Sequence, residues 1–474
     1  MKSIAKNSLA NMIYTVLELL LQIITTAYCS RVLRADGVGQ VAYVQSIVAY
    51  FMIFADFGMF NYGIRETAKT RGDQGNLSKV FSELLVINVF STTVVLAAYI
   101  LGFTCLSDRN TDIPLIFAWG VSIFVHYIAI DWLYNGQEAY LYIAGRNLFV
   151  KVLSLAAVFV LIRAREDYAT YALITSLTGG IIGIFNMCRV HKYVKPSFHG
   201  LSIKKHIRPL GILAVNDLFT ELYAKIDITM LGTISTKIAT GYYHNASTAI
   251  RMIRMICYSA FAVWYPRLSI YYKTDRKEFD RLLLYGMKLM IFIAFPASVG
   301  IFILAPQIIM VVFGDAFLPA VTTFRILSLL LLVQSAADII YQILMVTGNE
   351  KKRLPVLAWG TAGNILLNSF FIPAWADCGA AVASVICEVG VTGVLLGKVY
   401  RLISIDLPWK AVWQAVVSTL IMSVVVLLVI QINVPPFFQC GMAVFGGIII
   451  YGISNLFLKN ELIEILFKGL HSRL

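Results

Sequence analysis

Apolar residues in this chain come in runs of about twenty, the length a membrane-crossing helix needs, and each run is closed by a charge, a glycine or a proline. The runs fall at 8–30, 40–64, 79–103, 113–134, 141–162, 168–188, 209–233, 240–265, 282–305, 320–347, 355–373, 379–398, 409–430 and 437–458. Unbroken runs predict spanning helices and exclude an outer-membrane barrel, whose strands alternate in polarity. Pro114, Pro209, Pro355 and Pro408 sit at predicted helix starts, where the missing N–H costs nothing. Pro296 lies well inside the ninth run and predicts a kink there. The basic start continues too far to be a signal-peptide core, has no A-x-A site after it, and reads as a retained first helix.

Composition agrees with the pattern. Of 474 residues, 59% are hydrophobic and only 14% charged, against about 25% charged in soluble domains. A soluble enzyme or a nucleic-acid-binding domain of this length is thereby excluded. The net charge of +13 is informative through its placement: with the amino terminus in the cytoplasm, the connections on that side carry 28 Lys and Arg. Those on the outer side carry 6, namely Arg31, Arg34, Arg109, Arg163, Arg165 and Lys237. That asymmetry is the positive-inside pattern, and it predicts an all-α integral membrane protein of about 14 transmembrane helices with both termini cytoplasmic. The connections are short and leave no room for a soluble donor-binding domain. Seven cysteines are scattered singly, so neither a disulfide framework nor a zinc site is indicated; Cys105 with Cys378 is the one pairing worth naming.

An internal echo divides the chain. Gly136-Gln137-Glu138 follows the fourth run as Gly348-Asn349-Glu350 follows the tenth, and Val38-Gly39 to Tyr43 opens the second run much as Thr240-Gly241-Tyr242-Tyr243 opens the eighth. Offsets of this size predict two parallel six-helix lobes, 1–200 and 201–400, followed by two additional helices and a tail in 401–474, an organisation common in transporters. Gly179…Gly183 and Gly393…Gly397 have the spacing of close helix packing.

Polar residues inside the runs carry the chemistry, because a charge at mid-bilayer costs about 2.5–3.5 kcal/mol. On the eighth run Thr240, His244, Ser247, Arg251, Arg254 and Tyr258 share one helical face. No acid on that helix lies within four residues of either arginine. They either pair with acids of neighbouring helices or line a cavity for an anionic substrate; the lining is the reading taken. On the first run Asn7, Asn11, Glu18, Gln22, Thr25 and Cys29 share a face. The seventh carries Asp217, Thr220, Glu221 and Lys225, with Glu221 and Lys225 spaced to satisfy one another. Asp56, Asp217, Glu221, Asp338 and Glu388 are candidates for cation or proton coupling, with structural pairing the alternative for each. Arg325 and Lys288 read as snorkelling to the rims. No Walker A, H-E-x-x-H or G-x-S-x-G sequence is present, so neither enzymatic chemistry nor a cofactor is expected.

Several segments together resemble the polysaccharide transporter family. They are Lys6-Asn7-Ser8, Arg31-Val32-Leu33-Arg34-Ala35-Asp36-Gly37-Val38-Gly39, Asp56-Phe57-Gly58, Arg65-Glu66-Thr67-Ala68, Lys225 to Gly232 and Gly241 to Ala246. That family holds the O-antigen and related flippases and sits within the multidrug, oligosaccharidyl-lipid and polysaccharide exporters. The resemblance implies a V-shaped pair of lobes working by alternating access. It also implies translocation of an undecaprenyl-pyrophosphate-linked oligosaccharide from the inner to the outer leaflet of a bacterial inner membrane. Arg251 and Arg254 match, by helix and depth, the cavity arginines that hold pyrophosphate in similar flippases; Lys225, His244, Glu18 and Gln22 complete the expected substrate-binding set. Implied partners are the lipid-linked oligosaccharide, membrane lipids, and a polysaccharide polymerase with its chain-length regulator, with no nucleic acid. Many members have twelve helices where fourteen are counted here, as in peptidoglycan lipid-precursor flippases. The competing readings are a multidrug/cation antiporter on the same fold, a membrane-embedded polymerase or ligase, and a non-catalytic scaffold.

Overall fold

The computed structural model describes residues 2–106, 112–262, 264–403 and 406–463, with the backbone alone for 2–16, 104–106, 260 and 262. The side chains of Asn7, Asn11 and Cys105 therefore lie outside the described residues; Cys378 is a free thiol. Every regular element described is helical. Contacts divide the chain into two units, Met1–Gly232 and Thr233–Leu474.

The first unit contains α1 (Lys2–Asp56), α2 (Met59–Lys69), α3 (Gln74–Leu106), α4 (Ile113–Val125), α5 (Asp131–Gly136), α6 (Tyr140–Leu161), α7 (Tyr168–Arg189) and α8 (Lys204–Ile234). α1 packs on α3, α4 and α6, and α7 closes over α4 and α6. Val41, Val48, Ala55, Leu115, Trp119 and Ile123 fill that core. The second unit contains α9 (Lys237–Ala262), α10 (Tyr265–Thr274), α11 (Arg276–Val312), α12 (Val321–Val346), α13 (Arg353–Tyr400), α14 (Trp409–Ile430) and α15 (Pro436–Phe457). α12 is its centre, packed on α9, α11 and α13. α14 and α15 pair with each other and seat on α11 through Leu304, Met422, Val426, Ala443 and Tyr451.

Among the described residues, nine helical runs are long and apolar enough to cross a membrane. Two of them, Leu17–Lys69 and Glu350–Tyr400, have 53 and 51 residues. At 1.5 Å per residue each would be about 80 Å long if straight, far beyond a hydrocarbon core of about 30 Å. Both are broken. Arg34 (φ 57°) interrupts α1 and Ala376 (φ 47°) interrupts α13, at the boundaries the sequence places between the first and second and the eleventh and twelfth runs. Positive φ at a residue with a Cβ costs about 1–3 kcal/mol. After Ala376 the chain doubles back so tightly that a Cβ on Gly379 would stand 2.1 Å from the Phe371 carbonyl oxygen, and only glycine fits. α4 is too short for the count of nine, and α8 and α9 are too polar.

α11 stays helical through Pro296 and Pro306, while the backbone breaks of α1 and α13 fall at non-proline residues. Other expectations need correcting. The fourth run is α4, a 3-10 turn over His126–Ile128, and α5. Asn88 compensates that interruption by donating to the carbonyls of His126 (3.1 Å) and Tyr127 (3.3 Å). Gly180 and Gly183 approach Val125 and Ile128, whereas positions Gly179, Gly393 and Gly397 face open space. Arg146 and Lys151, both inside the fifth run, lie within α6.

The seam between units also differs in place from the boundary expected at 200. α8 keeps its contacts with the first unit because its start is strapped to α3. Ser78 and Ser82 hydroxyls accept from the backbone N–H of Lys195 (3.0 Å) and Ser197 (2.9 Å). Glu83, fully buried, accepts from the Ser202 N–H (2.7 Å) and Lys205 Nζ (2.8 Å), and meets His206 Nε2 at 2.8 Å. His206 Nδ1 in turn lies 2.7 Å from the Tyr62 hydroxyl. Further along, Gly58 takes φ 74° against Leu210, Leu213 and Ala214, and Thr229 bonds Tyr50 and Ser46 at 2.9 Å each.

Removing one partner of a buried charged network costs about 3–5 kcal/mol, so Glu83→Ala is expected to loosen this strap. Limited trypsin digestion should then cleave after Lys204 at least about tenfold faster than in the parent protein; unchanged cleavage would mean that the strap does not hold the connection.

Candidate functional site

α9 is amphipathic across its length, and its polar stripe faces the polar faces of α12 and α13. Near its start the Tyr243 hydroxyl is 2.8 Å from Ser384 of α13. Near its end Gln342 of α12 donates to the Tyr258 hydroxyl at 2.5 Å. Between them lie the two arginines, and their circumstances differ.

Arg254 is clamped. Its Nε donates to Asp338 Oδ2 at 3.0 Å and its Nη2 to Oδ1 at 2.5 Å, a bidentate pair with Asp338 almost buried. Glu388 of α13, also buried, is near enough for its charge to act on the same guanidinium. The expectation that both arginines escape quenching is corrected at Arg254: the acid its own helix lacks comes from α12. Arg251, one turn earlier, is exposed and donates from Nη2 to Thr248 Oγ1 at 3.2 Å. His244 is half-buried on the same stripe.

The remaining predicted residues belong to the first unit. Lys225 and Glu221 form the intrahelical pair that their spacing predicts, at 3.0 Å. Glu18 pairs with Lys151 of α6, and Gln22 is exposed a turn further on. Asp217 of α8 is half-buried, within electrostatic reach of both Asp56 and Glu221. Asp56, at the end of α1, accepts from the Phe60 N–H (3.3 Å) and stands 3.7 Å from His126 Nε2. Thus Asp56, Asp217 and Glu221 gather as one acidic group, while Asp338 and Glu388 gather around Arg254 in the other unit. Lys288 reaches Glu461 at 2.5 Å instead of only snorkelling. That bond holds the Glu461 carboxyl below the usual range. Arg325 donates to the Phe302 carbonyl (3.1 Å).

Sequence reasoning missed two groups. His126 is buried, 3.1 Å from Thr92 Oγ1 and facing Asp56; a lone histidine in an apolar run was its only signal. Arg146 is buried against Asp131 (2.7 Å) and Asn186, with its guanidinium 5.5 Å from the Tyr142 ring centre. Asp131 and Arg146 are fifteen residues apart in sequence, so no helical spacing could pair them. Among the described residues no cluster of histidine, cysteine and carboxylate groups is arranged to hold a metal ion.

The profile of the "Polysaccharide biosynthesis protein" family matches residues 4–271, more than half of the chain. The chain belongs to the polysaccharide biosynthesis protein family. This makes it a membrane transporter and not an enzyme. Among similar curated members is the "Putative O-antigen transporter" of Escherichia coli (strain K12), 20% identical over 387 residues, covering 80% of this chain and 92% of that protein. Another is the "Probable low-salt glycan biosynthesis flippase Agl15" of Haloferax volcanii, 22% identical and covering 98% of each chain. Of solved structures, "Lipid II flippase MurJ, inward closed conformation" aligns with TM-score 0.77 at 19% identity, over 97% of this chain and 100% of that one. An inward-facing multidrug resistance transporter of the MATE family aligns with TM-score 0.63 at 14% identity, over 81% and 94%. These structural likenesses establish the fold.

The clamp makes a test possible. Arg254→Ala strands a nearly buried carboxylate and should destabilise this family member by about 3–5 kcal/mol. Asp338→Ala should cost less, because the Arg254 side chain retains 33% exposure. The double variant should regain most of the loss, read as the thermal unfolding midpoint in detergent. If the double variant is no more stable than Arg254→Ala, the pair is not coupled.

Proposed function

We propose that this transporter is a flippase for an undecaprenyl-pyrophosphate-linked oligosaccharide, a unit of O-antigen or a similar surface polysaccharide. It moves that unit from the inner to the outer leaflet of a bacterial inner membrane by alternating access, with fourteen crossings and both termini cytoplasmic. The family and the names of the curated relatives support the substrate class. The observation that carries the reading is the arginine pair on α9: Arg251 exposed, Arg254 one turn away and partly exposed behind it.

A pyrophosphate and a hydrated glycan cannot cross hydrocarbon unaided, whereas a polyprenyl tail stays in it. Arg251 offers the first charge-assisted contact to a phosphate oxygen. Arg254 offers its bidentate Nε–Nη2 edge to a phosphate only when Asp338 releases it, since that edge is occupied. A diphosphate that replaces Asp338 leaves that carboxylate needing a proton or a cation, and Glu388 stands beside it. Substrate capture and ion uptake are then one exchange, with no buried charge left uncompensated. A polymerase and its chain-length regulator would receive the unit on the far side.

A multidrug/cation antiporter on the same fold is the second reading, favoured by the acidic group Asp56, Asp217 and Glu221. One variant separates the two. Loss of a charge-assisted hydrogen bond is worth about 1.5–3 kcal/mol, so Arg251→Ala should lower surface glycan display in a complemented deletion strain about 10- to 100-fold. Efflux of cationic dyes should be unaffected. Wild-type display by Arg251→Ala, or loss of dye efflux with display intact, would overturn the flippase reading.

A further inference from the structure

At the end of α7 a cavity of about 540 Å³ is lined by Tyr142, Phe185, Cys188, Arg189, His191 and Lys192. Its chemistry is one-sided. His191 and Lys192 are exposed and Arg189 is half-buried. Among the described residues none of the three has a carboxylate within salt-bridge distance. The Arg189 Nε is buried with no hydrogen-bond partner, although its guanidinium lies 4.5 Å from the Tyr142 ring centre. Asp131, a carboxylate of the same unit, is taken by Arg146. The negative end of α7 accounts for some attraction to cations here, but it gives the buried Nε no acceptor.

Below these cations the wall is apolar and open. Phe185 is 40% exposed and Phe149, against which it packs, is 58% exposed; Ile184 and Leu141 are exposed beside them. A soluble surface would bury such rings. A bilayer would cover them with acyl chains, and the basic rim would then stand at headgroup depth. We propose that this cavity is a binding site for an anionic phospholipid of the cytoplasmic leaflet. Its phosphate lies between Arg189 and Lys192, and its acyl chains run down the Phe185–Phe149 face. The assignment of the leaflet rests on the topology given under the proposed function. The site itself does not depend on the substrate reading, and failure of one leaves the other standing.

Cys188 provides the reporter, because it is an exposed free thiol in the cavity wall. The full chain is placed in nanodiscs of phosphatidylcholine or phosphatidylglycerol and treated with N-ethylmaleimide, and modification of Cys188 is followed by peptide mass spectrometry. A Lys or Arg near an anionic surface contributes about 1 kcal/mol each, so with Arg189 and Lys192 together alkylation should be about thirtyfold slower in phosphatidylglycerol for the parent protein. In Arg189→Gln/Lys192→Gln the slowing should fall to that of a bilayer surface-potential effect alone, about three- to sevenfold. The exposed single variant Lys192→Gln should be intermediate, which guards against misfolding of the double variant. Equal rates in the two lipids, or the same slowing in parent and double variant, would overturn the site. Protection by millimolar inorganic phosphate in phosphatidylcholine discs, equal to that by phosphatidylglycerol, would overturn it as a lipid site, because a free anion would then suffice.

Discussion

A charge within hydrocarbon must either be paired or reach water, and that requirement organises this protein. Apolar side chains cannot hold helices in register against a solvent as apolar as themselves. Ion pairs and hydrogen bonds therefore do much of the fixing: Glu18 to Lys151 joins α1 to α6, Arg146 to Asp131 joins α6 to α5, and Arg254 to Asp338 joins α9 to α12. Each satisfies two expensive groups and sets the relative height of two helices. Against that background Arg251 stands out because it is exposed.

The backbone obeys the same rule. Where a helix stops within the fold, a side chain takes up the freed groups. Asn88 serves the carbonyls at the end of α4, Gln137 donates to the Thr67 carbonyl (3.0 Å), and the Tyr28 hydroxyl donates to the carbonyl of Ile162 (2.7 Å). The connection before α8 repeats this on a larger scale, with Ser78, Ser82 and Glu83 holding successive N–H groups. An extended segment so satisfied behaves as part of the first unit, which is why α8 counts with it.

Ion pairing also bears on transport. A permanently bare arginine pair would bind an anion tightly and release it slowly. A pair in which one member is held by an internal carboxylate exchanges one anion for another, so binding and release differ by a smaller free energy. In the proposed flippase reading, Asp338 and Glu388 are the groups assigned that internal competition, because both act on the Arg254 guanidinium within a single unit.

The sequence alone determined the membrane class and the helical segments, since run length acts locally. It also found the α9 stripe and the Glu221–Lys225 pair, because helical periodicity is a local property. It could not tell which acid meets which base across helices. Arg254 with Asp338 is separated by 84 residues and Glu18 with Lys151 by 133, and nothing in either segment's pattern encodes the other's height. The strap at Glu83 likewise depends on neighbours distant in the chain. Only the tertiary structure decided these, because the pairing energy of a charge in a low-dielectric interior depends on distance and burial, which exist only once the helices have packed.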